Sequence, residues 1–234
     1  MLQWIAFDAD DTLWHNEILY AQAQDKLKDV LSEYIDSETV VDRLYKTEMK
    51  NLAHYGYGVK SFALSMIETA VDLTNDRITG SDIRRIMDIA KAMLASEVQL
   101  LSHVPDTIKL LSKSYDLMVI TKGDLLDQQE KLARSGIREH FKYVEVVSSK
   151  TEDTYRAVLD RYGIEPQRFL MIGNSLPSDV LPVIAIGGKA VYIPYHLTWE
   201  HETVDNHQLQ NNGYFELDHI GQLPSLLKQL TVQE

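Results

Sequence analysis

The sequence predicts an α/β fold, a parallel sheet covered by helices on both faces, with a helical subdomain inserted after the first strand. Three observations carry that prediction. Five short apolar runs rich in β-branched or aromatic residues alternate with helix-like patterns, the arrangement that gives parallel strands buried on both faces. About 100 residues separate the first two runs, far more than a strand-to-strand crossover requires. That interval carries helical periodicity and no convincing strand.

The first strand is expected over residues 3–7. Residues 15–100 form the insertion, with helices over 18–31, 40–52, 62–73 and 83–94, joined by two nearby linkers to a core made of 1–14 and 101–234. Further strands are expected over 116–120, 143–147, 168–172 and 190–193. Ser149 and Glu152, three apart, read as a capping box opening the helix after the third strand. A helix following Ser178 accommodates Pro182 in its first turn, where the missing N–H has no intrahelical partner, and stops at Gly187 and Gly188. The tail from His196 to Tyr214 is polar and irregular, and residues 223–230 suggest a short last helix with Pro224 in its first turn.

Composition narrows the function. With 234 residues, 44% of them hydrophobic, the chain can bury a sizeable core. A net charge of −12 opposes nonspecific binding to nucleic acid or an anionic membrane, because both need a basic surface. It still permits a small anionic ligand held by local cations. The absence of cysteine excludes disulfides, thiolate metal sites and a cysteine nucleophile. No window approaches the roughly 18 apolar residues of a membrane span, and no targeting segment opens the chain, so a soluble, cytoplasmic protein is expected.

The stretch Trp4-Ile5-Ala6-Phe7-Asp8-Ala9-Asp10-Asp11-Thr12-Leu13-Trp14 sets three carboxylates at the end of an apolar strand. Asp8 and Asp10 point the same way if the extended conformation persists. Adjacent carboxylates repel unless they share a cation or a proton, so the pair suggests a divalent metal, or one ionised acid and one protonated acid with separate roles. A solvated turn would explain Asp residues there equally well. The other strand ends tip the balance, for they carry Thr121-Lys122-Gly123-Asp124, Ser148-Ser149-Lys150 and Gly173-Asn174-Ser175 with Asp179. Ligands of open parallel sheets sit beyond these carboxyl ends. A hydroxyl, a lysine and further oxygen ligands gathered there are what phosphoryl transfer needs.

The order Asp8-x-Asp10-x-Thr12, Thr121 after a strand, Lys150, then Gly173-Asn174-Ser175 with Asp179 resembles the four motifs of the haloacid dehalogenase superfamily. The likeness covers nearly the whole chain, and the insertion lies where that superfamily places its C1-type cap. It implies a Rossmann-like core and a phosphatase acting on a small soluble phosphate ester. Asp8 would be the nucleophile forming an aspartyl-phosphate. Asp10 would be general acid and base, and Thr12 would orient it. Thr121 would donate to the phosphate, with Lys122 and Gly123 beside it in the phosphate-binding loop, and Lys150 would balance charge. Mg2+ would be held by Asp8, the Asp10 carbonyl, Asn174 and Asp179. A cap opening and closing over the site would exclude bulk water.

The second carboxylate discriminates among the superfamily's reactions. Halide leaves without a proton, whereas an alkoxide needs a general acid, and dehalogenases of this superfamily lack the acid at the position of Asp10. A phosphonatase would need a cap lysine, with Lys46, Lys50 and Lys60 as candidates, and a phosphomutase would return phosphate to a sugar. Asn174 departs from the pattern, which usually has Asp there, and one charge fewer weakens metal binding. It is the main support for a rival reading, a binding or regulatory protein that kept the fold and lost turnover. Ser149 and Ser175 read as caps or turn formers, since no histidine is tied to either. The eight histidines, His15, His54, His103, His140, His196, His201, His207 and His219, lack metal-ligand spacing. Lys122, His15, Lys50 and His54 could reach substrate, although a surface role accounts for each.

Overall fold

A computed structural model of the protein describes residues 2–196 and 213–233. His201, His207 and residues 197–212 of the polar tail lie outside the described residues. The chain divides into two compact units, one of Met1–Glu17, Val98–Lys122 and Gln129–Glu234, the other of Ile18–Glu97 with Gly123–Gln128.

Four helices dominate the second unit: α1 (Glu17–Leu31), α2 (Ser37–Tyr55), α3 (Val59–Thr74) and α4 (Gly80–Leu94). Leu27, Leu31, Leu44, Phe62, Met66 and Ile86 form its apolar centre. Asp36 caps α2 by accepting from the Thr39 N–H at 3.0 Å, and Thr79 caps α4 through the Asp82 N–H at 3.1 Å. Each cap satisfies a donor that the first helical turn leaves open. Between α2 and α3 runs a polar seam, in which the buried Asn51 amide donates to Ser65 Oγ at 3.2 Å and Glu68 Oε2 at 2.8 Å. Among the described residues no helix is long and apolar enough to cross a membrane.

The first unit is built on six parallel strands, β1 (Trp4–Phe7), β2 (Asp116–Lys122), β3 (Tyr143–Val147), β4 (Phe169–Gly173), β5 (Lys189–Tyr192) and β6 (Phe215–Glu216), in the order β3-β2-β1-β4-β5-β6. The remaining helices are α5 (Val104–Leu111), α6 (Leu125–Arg134), α7 (Glu152–Tyr162), α8 (Leu181–Ala185) and α9 (Leu223–Gln233). Period-two alternation divides the strand side chains between two cores. Ile5, Phe7, Leu117, Val119, Leu170 and Ile172 pack with Val104, Ile108, Leu132 and Leu223 on one face. Ala6, Met118, Ile120 and Met171 pack with Tyr155, Val158, Leu159 and Val183 on the other. All four residues of β1 are buried, because it lies between β2 and β4 with Trp4 in register with Asp116 and Phe169.

The structure corrects several expected boundaries. Strand β2 runs on to Lys122, so Thr121 and Lys122 belong to the strand. Strand β6, two residues long, has no signature in the sequence and is defined only by pairing with Val191 and Tyr192. Ser149 does not cap α7. Thr151 does, its Oγ1 accepting from the Thr154 N–H at 3.3 Å, because the helix begins at Glu152 and that residue is in the first position rather than the third. The helix expected after Ser178 is preceded by a π-helical turn, Leu176–Val180, which Ser175 caps, and α8 starts only at Leu181 with Pro182 in its first turn.

Candidate active site

The sheet holds the first site residue in place. The Asp8 N–H still donates to Ile172 O at 2.9 Å, so the backbone at Asp8 continues the β1 ladder beyond its last residue. The chain then turns sharply, with Leu13 N–H bonded to Ala9 O at 2.8 Å and Asp11 N–H to Trp14 O at 2.7 Å. Asp11 sits at φ 59°, in the left-handed region where glycine is easiest and Asp is among the tolerated residues. Its carboxylate accepts from the N–H groups of Asn16 at 2.8 Å and Glu17 at 3.0 Å, closing the start of α1. Burial pushes that carboxyl up to about 7. Tyr195 lies beside it; its hydroxyl meets His15 Nδ1 at 2.6 Å and is pushed up to about 12 by burial and the Asp11 charge.

Lys150 is almost wholly buried between two carboxylates, bonded to Asp8 Oδ1 and, at 2.6 Å, to Asp179 Oδ1. Burial alone would lower the ammonium group, but Asp179 and Asp8 overcome it and hold Lys150 charged. Burial raises the Asp8 carboxyl, and Lys150 opposes that rise. One cation is thus shared between two carboxylates. Asp179 is fully buried; its Oδ2 accepts the Ser175 N–H at 3.1 Å, so both oxygens are engaged behind Lys150. A Cβ on Gly173 would overlap that Oδ2. Only glycine lets Asp179 approach the strand so closely.

Thr12, which the resemblance makes an orienting group for Asp10, donates its hydroxyl to Asn174 Oδ1 at 3.1 Å. The same amide edge lies 3.2 Å from Asp8 Oδ2 and 3.3 Å from the Asp10 carbonyl oxygen. With its nitrogen turned inward, Asn174 would have all three oxygens within reach of its two N–H groups. With its oxygen inward, that oxygen meets the Asp8 and Asp10 oxygens, an arrangement that a cation or a proton on Asp8 would stabilise. Octahedral Mg2+ at about 2.1 Å from each oxygen spaces neighbouring ligands about 3 Å apart, close to the separations found. Asp8 Oδ2, the Asp10 carbonyl and the Asn174 side chain therefore fit a small hard cation, although no three His, Asp or Glu side chains converge on one among the described residues.

Asp10 is positioned by groups that sequence reasoning missed. Its Oδ1 accepts from Trp14 Nε1 at 2.7 Å and from Lys131 Nζ at 3.0 Å. Trp14 stands four residues on, a proximity that could have been noticed. Lys131 comes from α6 and carries no signal, since a lysine among charged residues on a helix looks like a solvated one.

Thr121 is buried at the end of β2, its hydroxyl 3.3 Å from Lys122 O. The Lys122 ammonium donates to Ser178 Oγ at 3.0 Å. Gly123, at φ 128°, belongs with Asp124 to the helical unit, where Asp124 pairs with Lys60 at 2.9 Å and its backbone nitrogen lies 3.1 Å from the Cβ position of Gly58. Lys46 pairs with Asp42 and Lys50 with Glu68. All three lysines are exposed, unlike a Schiff-base lysine kept out of water.

The family model described as haloacid dehalogenase-like hydrolase matches residues 2–187. Glyceraldehyde 3-phosphate phosphatase of Methanothermobacter thermautotrophicus is 27% identical over 245 residues, covering 97% of this chain and 100% of that protein. A crystal structure of a haloacid dehalogenase-like family hydrolase from Xanthomonas campestris is 38% identical, covering 99% of this chain and 93% of that one, with a TM-score of 0.88. The 2-haloacid dehalogenase of Pseudomonas syringae shares the fold at 18% identity and a TM-score of 0.65, over 98% of this chain and 100% of that one.

Proposed function

Because this chain belongs to the haloacid dehalogenase-like hydrolases, we propose that it is a Mg2+-dependent phosphatase hydrolysing a small phosphomonoester through a phosphoryl group carried on Asp8. The observation that carries this reading is the paired arrangement of two acids, Asp8 bonded to Lys150 and Asp10 held separately by Trp14 and Lys131. Halide departure has no use for the second acid. The full-length relative from Methanothermobacter thermautotrophicus, named for its action on glyceraldehyde 3-phosphate, points the same way.

In the first step Asp8 Oδ1 attacks phosphorus and the bond from phosphorus to the ester oxygen breaks. Asp10 gives its proton to that oxygen, which leaves as an alcohol. Asp10, now a carboxylate, takes a proton from water as the water oxygen attacks phosphorus, and the phosphorus–Asp8 bond breaks to release phosphate. Lys150, bonded to Asp8 and Asp179, meets the phosphoryl charge; Thr121 and Lys122 at the end of β2 serve as phosphate donors, with Gly123 next in the chain. Asp8 Oδ2, the Asp10 carbonyl and Asn174 would hold Mg2+, with Asp179 behind Lys150, and the ion would supply positive charge to the phosphoryl oxygens. The segment of residues 15–100 serves as the cap.

The test is hydrolysis of an aryl phosphate, glyceraldehyde 3-phosphate and a panel of sugar phosphates and nucleoside monophosphates, with and without Mg2+, beside Asp8→Asn. We expect Mg2+-dependent phosphate release that the variant loses by at least about 10³-fold. No release from any ester, or equal release by the variant, would overturn the reading in favour of a binding protein. Chloride release from a haloacid would replace it with dehalogenation.

A further inference from the structure

Two buried side chains converge on one oxygen of Asp10 and have no part in the phosphoryl and proton transfers of the proposed reaction. Trp14 Nε1 lies 2.7 Å and Lys131 Nζ 3.0 Å from Oδ1. Trp14 is 1% and Lys131 7% exposed. Lys131 also donates to Asn16 Oδ1 at 2.9 Å, and the Asn16 N–H donates to Asp11 Oδ1 at 2.8 Å, so the lysine is fixed from a second side.

We infer that Trp14 and Lys131 are positioning residues that lock the Asp10 carboxyl in one orientation. The inference rests on the phosphatase reading. An aspartate χ2 is a soft, roughly two-fold torsion, so an unrestrained carboxyl presents either oxygen over a broad range of angles. Rotation here would break both bonds to Oδ1. The carboxyl is therefore held in one orientation. Proton transfer to a leaving oxygen requires that kind of constraint, because it works only within hydrogen-bond reach. Burying an ammonium is expensive unless it is paired and hydrogen-bonded, and the contacts of Lys131 to Asp10 and Asn16 help meet that requirement while holding the acid.

Leaving-group dependence separates this role from a merely structural one. Wild type, Lys131→Met and Trp14→Phe are compared, with Mg2+ present, on 2,4-dinitrophenyl phosphate, whose leaving group departs without a proton, and on the alkyl phosphomonoester that the wild type turns over fastest. Both variants should lose about 10²-fold in kcat/KM on the alkyl ester and little more than about threefold in kcat/KM on the dinitrophenyl ester, since kcat/KM ends at phosphoryl transfer to Asp8 and leaves out the later water attack that both esters share. Equal losses of kcat/KM on the two esters, or an unchanged kcat/KM on the alkyl ester, would overturn the inference alone. A wild type that hydrolyses neither ester would overturn the phosphatase reading and this inference with it. If Lys131→Met loses its near-ultraviolet circular dichroism, the ratio in Trp14→Phe decides.

Discussion

Asn174 carries one negative charge fewer than the motif it resembles, and its effect can be measured without any substrate. Its amide lies 3.2 Å from Asp8 Oδ2. Asn174→Asp should therefore melt at a lower temperature than wild type in metal-free buffer, since two carboxylates would face each other. Mg2+ should reverse the order, with roughly tenfold tighter binding adding about 1.4 kcal/mol. Thermal melts across a Mg2+ titration would show both signs. Gly173→Ala should destabilise the protein by at least about 2 kcal/mol, because its Cβ would collide with the buried Asp179 carboxylate; denaturant unfolding checks it. At this scale the sequence exposes the residues just past a strand end. Asp8, Lys150, Asn174 and Asp179 come soon after apolar runs, and the structure links them in a chain, Asn174 beside Asp8, Asp8 bonded to Lys150 and Lys150 to Asp179. It hides a residue that reaches the site from a helix, as Lys131 does. Asp11, a surplus acid in the motif, is in the structure a cap for α1 at a left-handed position.

Helix starts provide a test one level up. Thr151→Ala should cost about 1 kcal/mol and Ser149→Ala less than about 0.5, the reverse of what the capping-box spacing implied; urea midpoints distinguish them. The four helices of the insertion were legible because each is long enough to show its apolar stripe. The start of α7 was not, because Ser149 and Thr151 are both good caps and only the backbone geometry chooses. A two-residue strand such as β6 has no period to read. The α2–α3 seam adds a pH effect. The Asn51 amide is the main cause holding the Glu68 carboxyl below its ordinary 4.5, although burial opposes it. A group depressed in the folded state stabilises above its unfolded value, so this contribution is complete above about pH 5 and fades as pH falls through the depressed value. Glu68→Gln should flatten the fall of the melting temperature as pH drops below about 5.

For the whole molecule, chelation with EDTA should abolish hydrolysis and lower the melting temperature, and Mg2+ should restore both. At a hundred times the dissociation constant the ion stabilises by about 2.7 kcal/mol. Parallel topology and the helical insertion could be read from alternation and from one oversized gap, because both are long-range patterns. Strand order could not, since nothing local in β1 says that β2 and β4 flank it. That central place bears on how the protein is made. The chain delivers Trp4–Phe7 before either neighbour, and the partners at Asp116–Val119 and Phe169–Ile172 are synthesised long afterwards. Pairing at such sequence separation is slow, because loop closure precedes any stabilising contact. A nascent chain halted before β4 therefore holds β1, β2 and β3 with Asp8 and Lys150, but lacks the Ile172 carbonyl that fixes the Asp8 N–H and the Asn174 and Asp179 that follow it, so the candidate site is complete only when synthesis has passed residue 179.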